Sequence, residues 1–419
     1  MWSRVLVLLF SLALTKTESK RNYKNYRIIR FHANGTDQQD LVRDFIEGNP
    51  SDVIIAKEFV NAIDLIVSPD LYGKAFDLSN KLGIWDLLEP DLQVAIEAEN
   101  LGHGSKHIAQ KEKGNSAIYL RAMNAFYETK NHERRSFRSP PALLGPMLDF
   151  DLKEENSCFG SFDFRSYHRF KAISDFIDCI GQSYPDLAKV IDIGKSTEGR
   201  PIKVVKLSKP GTKAGRPSIF IEGGIHAREW ISPASVLYIL YLYTVRNYQF
   251  PDIFNHYDVY ILPVLNPDGY EYTHTDDRMW RKTRSKQGRC WGVDPNRNFG
   301  YKWGGKGTSG NPCSDIYRGR RPFSEPELKA LRDYILPQKE NFVLYLAFHS
   351  YGQYILYPWG YDKVDAKNVK ELQRLGEYGA NAARFQYSVG NSAKLLYPAA
   401  GNFSRQIKVV SSHKSNQLN

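Results

Sequence analysis

Cysteine and methionine are scarce in this chain, long apolar runs are scarcer, and acidic residues fall short of basic ones. Only four of the 419 residues are Cys and four are Met. That excludes a miniature cysteine-dense scaffold, in which disulfides stand in for a core. The main apolar run, 5–14, follows Arg4 and precedes Thr15-Lys16-Thr17-Glu18. It is too short to anchor a chain in a bilayer and has the charged-then-apolar order of a secretion signal, expected over residues 1–17. The competing reading is a buried N-terminal strand. Later in the chain, 238–243 is the greasiest stretch and reads as part of a buried helix, so no membrane partner is expected. A secreted, extracellular chain with an even cysteine count favours disulfides, and four cysteines allow three pairings. Asn34-Gly35-Thr36 and Asn402-Phe403-Ser404 are glycosylation acceptor patterns.

The acidic shortfall leaves a net charge of +11. The basic residues are nonetheless dispersed, denser only at 278–289 and at Arg318, Arg320 and Arg321. Without a stripe, a repeat or an aromatic-basic module, nucleic acid is not an expected partner. What is abundant is aromatic: 26 Tyr, 22 Phe and 7 Trp. With 42% hydrophobic residues the chain has material for large packed cores and for more than one domain.

Periodicity divides the chain. Segments 26–32, 62–68 and 84–88 read as strands, and 36–47, 69–82 and 90–100 as helices, with Thr36 a candidate cap. This leading α+β unit carries no catalytic constellation. A polar stretch, 102–115, and Arg134-Arg135-Ser136-Phe137-Arg138 beside Pro140-Pro141 follow. Exposed arginine-bearing linkers are where proteases cut. From about Ser157 strands (202–207, 218–222, 259–265, 342–349) alternate with helices (167–183, 232–246, 324–336, 368–385). Pro233 is placed at a helix start and Ser324-Glu325-Pro326-Glu327 reads as a capping box. Such alternation predicts an α/β domain, a sheet flanked by helices.

Chemistry concentrates in the second part. His226-Ala227-Arg228-Glu229-Trp230 follows a strand and Gly223-Gly224, where an imidazole and a carboxylate can share a metal. Alone such a pair is weak, and His349, ending an apolar strand, would alone be an ordinary core histidine. Two His and one Glu together leave a fourth tetrahedral position for water, the catalytic arrangement for zinc. In this order the motifs resemble those of the pancreatic carboxypeptidase A/B family of zinc metallocarboxypeptidases. They are Gly224-Ile225-His226-Ala227-Arg228-Glu229-Trp230, Asn266-Pro267-Asp268-Gly269-Tyr270, Trp280-Arg281-Lys282-Thr283-Arg284-Ser285, Asp294-Pro295-Asn296-Arg297-Asn298 and His349-Ser350-Tyr351.

The resemblance covers about residues 157–401. It implies a mixed sheet flanked by helices, preceded by a small α+β, ferredoxin-like propeptide domain. The expected layout is a signal at 1–17, a propeptide with its activation linker at 18–138, the zinc carboxypeptidase domain at 139–401 and a divergent tail at 402–419. It also implies one Zn²⁺ per chain, held by His226, Glu229 and His349. Arg284 would stabilise the transition state; Asn296 and Arg297 would hold the terminal carboxylate of a substrate through paired hydrogen bonds. Arg228, Tyr351 and Tyr397 (the family's mobile tyrosine) would make further substrate contacts. Cys290 and Cys313 would close a disulfide loop worth about 3 kcal/mol by chain entropy, leaving the pairing of Cys158 and Cys179 unfixed. The implied partners are peptide or protein C-termini and an activating trypsin-like protease, and the chain is expected to be a monomer.

After Gly401 the family continues with a specificity-pocket residue, a core strand bearing the general-base glutamate and a closing helix. None is recognisable in 402–419, which is polar and basic. Glu371 and Glu377 lie on a surface-like helix and neither is assigned as the base. Two readings stay open: a secreted zinc exopeptidase made as a zymogen, and an impaired or inactive homologue that binds peptide C-termini.

Overall fold

The computed structural model describes residues 20–59, 61–100, 158, 162–164, 166–245, 247–383 and 386–402. The expected secretion signal, the cleavage segment at 134–138 and residues 403–419 lie outside them.

The leading unit is a four-stranded antiparallel sheet in the order β2-β3-β1-β4 (Val53–Glu58, Ala62–Val67, Arg27–His32, Trp85–Glu89). Helices α1 (Thr36–Gly48) and α2 (Tyr72–Leu82) cover one face through Val42, Ala75 and Leu78 against Phe31, Leu65 and Val67. On the other face Ile54 and Ile66 meet Leu92 and Ile96 of α3 (Leu92–Asn100), with Met279 of the second unit packed against them. Apolar cover on both faces is why β3 is buried at every position and lacks a clean two-residue alternation. Strand β2 went unread in the sequence. Thr36 is not a cap: Gly35 holds that position and no side chain caps the helix.

The second unit is built on a mixed sheet, β11-β7-β8-β6-β5 (Phe342–Ala347, Ser218–Glu222, Asp258–Leu262, Pro201–Leu207, Ala188–Lys195). β11, β7 and β8 run parallel, β6 runs antiparallel to them, and β5, antiparallel to β6, shares their direction again. One face carries α4 (Phe170–Ser183) and α5 (Ile231–Val245), which bury Ile173, Phe176, Val236 and Leu240 against Val205, Ile221 and Ile261. The other carries α8 (Pro326–Ile335), with Leu328, Leu331 and Ile335 on Val204, Phe220 and Leu262. Two short helices, α6 (Pro251–His256) and α7 (Pro267–Thr275), precede and follow β8. A second pair of parallel strands, β12 (Tyr354–Tyr357) and β13 (Ser388–Asn391), lies under α9 (Val369–Ala382).

Two helix starts differ from expectation. Pro233 is the third residue of α5, still within the first turn where backbone N–H groups lack intrahelical acceptors. The capping box at Ser324 does not form: Ser324 Oγ donates to the neighbouring Glu325, and Glu327 accepts from the Thr197 backbone N–H instead. Both disulfides are present, Cys290–Cys313 and Cys158–Cys179. Among the described residues β11 has a partner strand on one side only, and its Leu346 is 40% exposed.

Candidate metal centre

The ligand-bearing segments leave the C-terminal ends of two adjacent parallel strands. β7 and β11 are paired through Ala347 and Glu222. His226 follows four residues after Glu222 and His349 two after Ala347, so the register alone delivers both to one rim, where open α/β sheets build their sites. The turn after β7 needs glycine. Gly224 has φ +65°, and a Cβ there would meet Val264 Cα at 3.1 Å. Its N–H donates to Ser232 Oγ (3.0 Å), which donates to the Phe348 carbonyl (2.6 Å), tying the 226–229 turn to the His349 loop.

His226, Glu229 and His349 each offer a ligand atom, all within 4.8 Å of one another. Glu229 Oε1 lies 2.8 Å from His226 Nδ1 and Oε2 lies 3.0 Å from His349 Nδ1; the two Nδ1 atoms are 3.2 Å apart. Two imidazole nitrogens and a carboxylate converging in this way form the donor set zinc favours, so the residues fit the ion the sequence implied. Glu229 also accepts from the Ser350 N–H (3.1 Å). Burial pushes its pKa up, but the two histidine charges and their hydrogen bonds outweigh that and hold the carboxyl well below its usual range. His226 is pushed down by burial and by Arg281. In His349, burial works against the charged form but Glu229 prevails and raises the pKa.

Around the ligands lies a second carboxylate. His226 Nε2 sits 3.3 Å from Asp294 Oδ1, the arrangement that fixes the tautomer of a metal-binding imidazole. Asp294 is fully buried yet held ionised far below the ordinary range: burial opposes this, and Arg281 and Arg297 outweigh it. Arg281 donates to Asp294 Oδ2 from Nε and Nη2 (3.1 and 3.0 Å) and lies 3.7 Å from Glu229.

The sequence carry-over of Arg284 is corrected here. Arg284 stacks on Tyr272 (3.5 Å), near Trp280 and Trp291, and pairs with Glu198 at 3.8 Å. The guanidinium beside the ligands is that of Arg281. The segment is not helical, so residues three apart need not share a face, and Arg284 turns to the aromatic nest. Sequence reasoning missed Arg281 and Asp294 as site residues. Both stood in quoted motifs, but nothing in one dimension shows which of several arginines turns inward.

The remaining expected residues surround the same centre. Arg297, 2% exposed, lies 3.9 Å from Asp294, donates to the carbonyls of Gly307 and Asn296, and has the Tyr397 hydroxyl 3.4 Å from Nη2. Asn296 donates its N–H to Asp294. The Cys290–Cys313 disulfide closes the loop that carries all three of 294, 296 and 297. Gly401, φ +68°, lets the chain pass under Arg297: a Cβ there would lie 2.4 Å from the Arg297 carbonyl. Arg228 and Tyr351 instead meet the leading unit, through the Ile55 carbonyl and Asp64. Glu371 and Glu377 stay on α9, where Glu377 accepts from Gln373, away from the centre.

The zinc carboxypeptidase family model matches residues 173–415, running past Gly401, where the motif resemblance had ended. Carboxypeptidase B of Astacus astacus is 45% identical over 246 residues, 57% of this chain and 80% of that protein. Carboxypeptidase B of Helicoverpa zea is 43% identical over 251 residues, of which the matched part spans 58% of the relative's length. Among solved structures, carboxypeptidase A from Helicoverpa armigera superposes with a TM-score of 0.71 at 28% identity, covering 91% of this chain and 85% of that one. Thrombin-activatable fibrinolysis inhibitor gives 0.64 at 26%, covering 91% and 86%.

Proposed function

Because the chain belongs to the zinc carboxypeptidase family, we propose that it is a secreted zinc-dependent carboxypeptidase, made as a precursor, that hydrolyses the C-terminal bond of peptides and proteins. The supporting observation is Asp294. One of its oxygens contacts the ligand His226, and the other carries Arg281 and lies near Arg297. A single carboxylate thus joins the groups that would hold the ion to the one that would grip a chain end.

Zinc on His226, Glu229 and His349 supplies Lewis-acid polarisation of a carbonyl and a more acidic water. The protein's own part is positional. Asp294 orients His226 and fixes two guanidinium groups at once. Arg297 with Asn296 takes the terminal carboxylate, since a planar fork matches a carboxylate in two parallel hydrogen bonds, and Tyr397 covers that pocket. Arg281, next to the ligand Glu229, is the cation placed to stabilise developing oxyanion charge, the role the sequence had given to Arg284.

The precursor reading draws on Arg228 and Tyr351. Arg228 donates to Ile55 of β2 and Tyr351 to Asp64 of β3, which a bidentate bond from Arg30 holds in place (2.6 and 2.9 Å). Glu99 takes a bidentate bond from Arg278, at 2.8 Å twice. The proposed propeptide, 18–138, therefore occupies two residues that substrate would need. The proposed layout places a signal at 1–17 before it, an activation cut at 134–138 and the enzyme domain at 139–401.

A second reading has its own support. Among the described residues, the carboxylates hydrogen-bonded to His226 or His349 are Glu229, a ligand, and Asp294, engaged by Arg281. Neither is free to act as general base, whose loss typically costs about 10²–10⁴-fold. Turnover is therefore expected to be slow. The test is release of C-terminal Phe or Arg from blocked dipeptides by trypsin-treated protein, with and without chelator. We expect slow, chelator-sensitive release. Release indifferent to chelator rules out the zinc mechanism; zinc-dependent binding of peptide C-termini without release selects the second reading.

A further inference from the structure

Two acceptor triplets for N-linked sugar stand in the sequence, Asn34-Gly35-Thr36 and Asn402-Phe403-Ser404. Their surroundings differ. Asn34 lies in the turn between β1 and α1, exposed together with Gly35 and Thr36. The backbone of this turn is held: Ala33 donates to the Asn61 carbonyl (2.8 Å), and the Asn34 N–H donates to Gln38 Oε1 (2.8 Å). Its side chains are left available. Among the described residues the Asn34 side-chain amide has no hydrogen-bond partner, and the Thr36 hydroxyl donates only to the neighbouring Asp37 (3.3 Å). Space beside the amide is open, since a Cβ added at Gly35 would meet nothing within 4 Å. Asn402 is packed instead. Its Nδ2, the atom that would carry a sugar, occupies the space that a Cβ on the buried Gly360 would need. A sugar there would have to displace the packed chain.

Beside Asn34 runs an apolar edge. The His32 N–H donates to the Ile84 carbonyl (3.2 Å), and Phe31 pairs with Trp85. β4 is the outermost strand of its sheet, and β1 is its one partner strand among the described residues. Ile84, Trp85 and Leu87 are 57%, 41% and 46% exposed. Open edges are normally blunted by charge, proline or a covering element, and a bulky, solvated sugar is such a cover. We propose that Asn34 is N-glycosylated and that its glycan shields the open edge of β4 in the precursor. This rests on the secreted reading above, since sugar is added to such triplets in secreted chains. The transfer joins Asn34 Nδ2 to the anomeric carbon of an oligosaccharide and breaks that carbon's bond to a lipid diphosphate carrier. The diphosphate leaves with the amide proton. Because Asn34 precedes the proposed cut at 134–138, activation separates the sugar from the enzyme domain.

The test is to make the full chain in a eukaryotic secretory host, with its own N-terminus and, in parallel, behind an established secretion signal. Mass is read before and after an N-glycosidase that cleaves the sugar–asparagine bond. Wild type and Asn402→Gln should lose the mass of one glycan, and Asn34→Gln and Thr36→Ala should lose none. Either of the last two carries the comparison if the other does not fold. After trypsin the mass loss should stay with the leading unit. Removing the sugar should raise binding of a dye that reports exposed apolar surface, and Trp85→Lys should suppress that rise. No mass loss in exported wild type, or a loss that survives Asn34→Gln, overturns the site. Dye binding unchanged by sugar removal overturns the shielding. Export only behind the added signal, with the sugar still on Asn34, upholds the site and counts against the secreted reading instead.

Discussion

Glu327 allows a stability prediction whose sign and size both follow from its surroundings. It lies in the first turn of α8, fully buried, accepting from the Thr197 N–H (2.9 Å) and hydroxyl (3.3 Å) with one oxygen. The other oxygen has no partner among the described residues. Burial raises its pKa from 4.5 to about 7; the Thr197 bond opposes this, and Glu325 and Asp268 add to it. The folded state therefore holds this proton more tightly than the unfolded chain. The resulting stability is complete below about pH 4.5, fades as pH rises, and is lost above about pH 7. A displacement of that size is worth about 3 kcal/mol at ~1.4 kcal/mol per pH unit. Glu327→Gln keeps an acceptor for Thr197 and cannot ionise. Urea unfolding with disulfides intact should show variant and wild type changing together below about pH 4.5. By pH 8 the variant should have gained about 3 kcal/mol relative to the wild type. Glu222, also pushed up to about 7 by burial, bends both curves alike, so their difference isolates Glu327. Parallel curves from pH 4.5 to 8 would refute the reasoning.

Three further outcomes are expected. His349→Ala removes one of three ligands, and metal analysis of the folded variant should find stoichiometric zinc binding abolished; equal zinc in the variant contradicts the ligand set. Arg281→Ala should lower kcat by about 10²–10³-fold, as loss of one oxyanion-stabilising donor does, whereas Arg284→Ala should fall well short of that; the reverse order restores the sequence assignment. Limited trypsin should cut near residues 134–138, and N-terminal sequencing should find a stable fragment beginning between Ser136 and Ser139. Preferred cleavage within 145–200 would count against that boundary.

Much of the site was legible because its chemistry is carried by residue type and order. His226, Glu229 and His349 were identified from two short motifs far apart in sequence, and parallel pairing of β7 with β11 brings them together. Strands flanked by apolar cover on both faces were harder. β2 and β5 went unread because each interrupts its apolar residues with Lys or Asp, so neither a clean alternation nor a continuous apolar run appears. Helix starts were misplaced at Thr36, Pro233 and Ser324, because caps are chosen by what lies nearby in space; Glu327 found Thr197 before it found its own helix end.

The sequence by itself determined the family and picked out the His226, Glu229 and His349 group that the fold brings together, since motif order and spacing survive without coordinates. Only the tertiary structure decided which arginine lies beside the ligand group. Arg281 and Arg284 are chemically identical and three residues apart, and the choice rests on where Asp294 and the Tyr272–Trp280–Trp291 nest lie. It likewise decided that Arg228 and Tyr351 face the leading unit, and that β11 is the outermost strand of the main sheet among the described residues. The placing of Arg228, Tyr351 and β11 depends on contacts between residues more than a hundred positions apart, which no local pattern encodes.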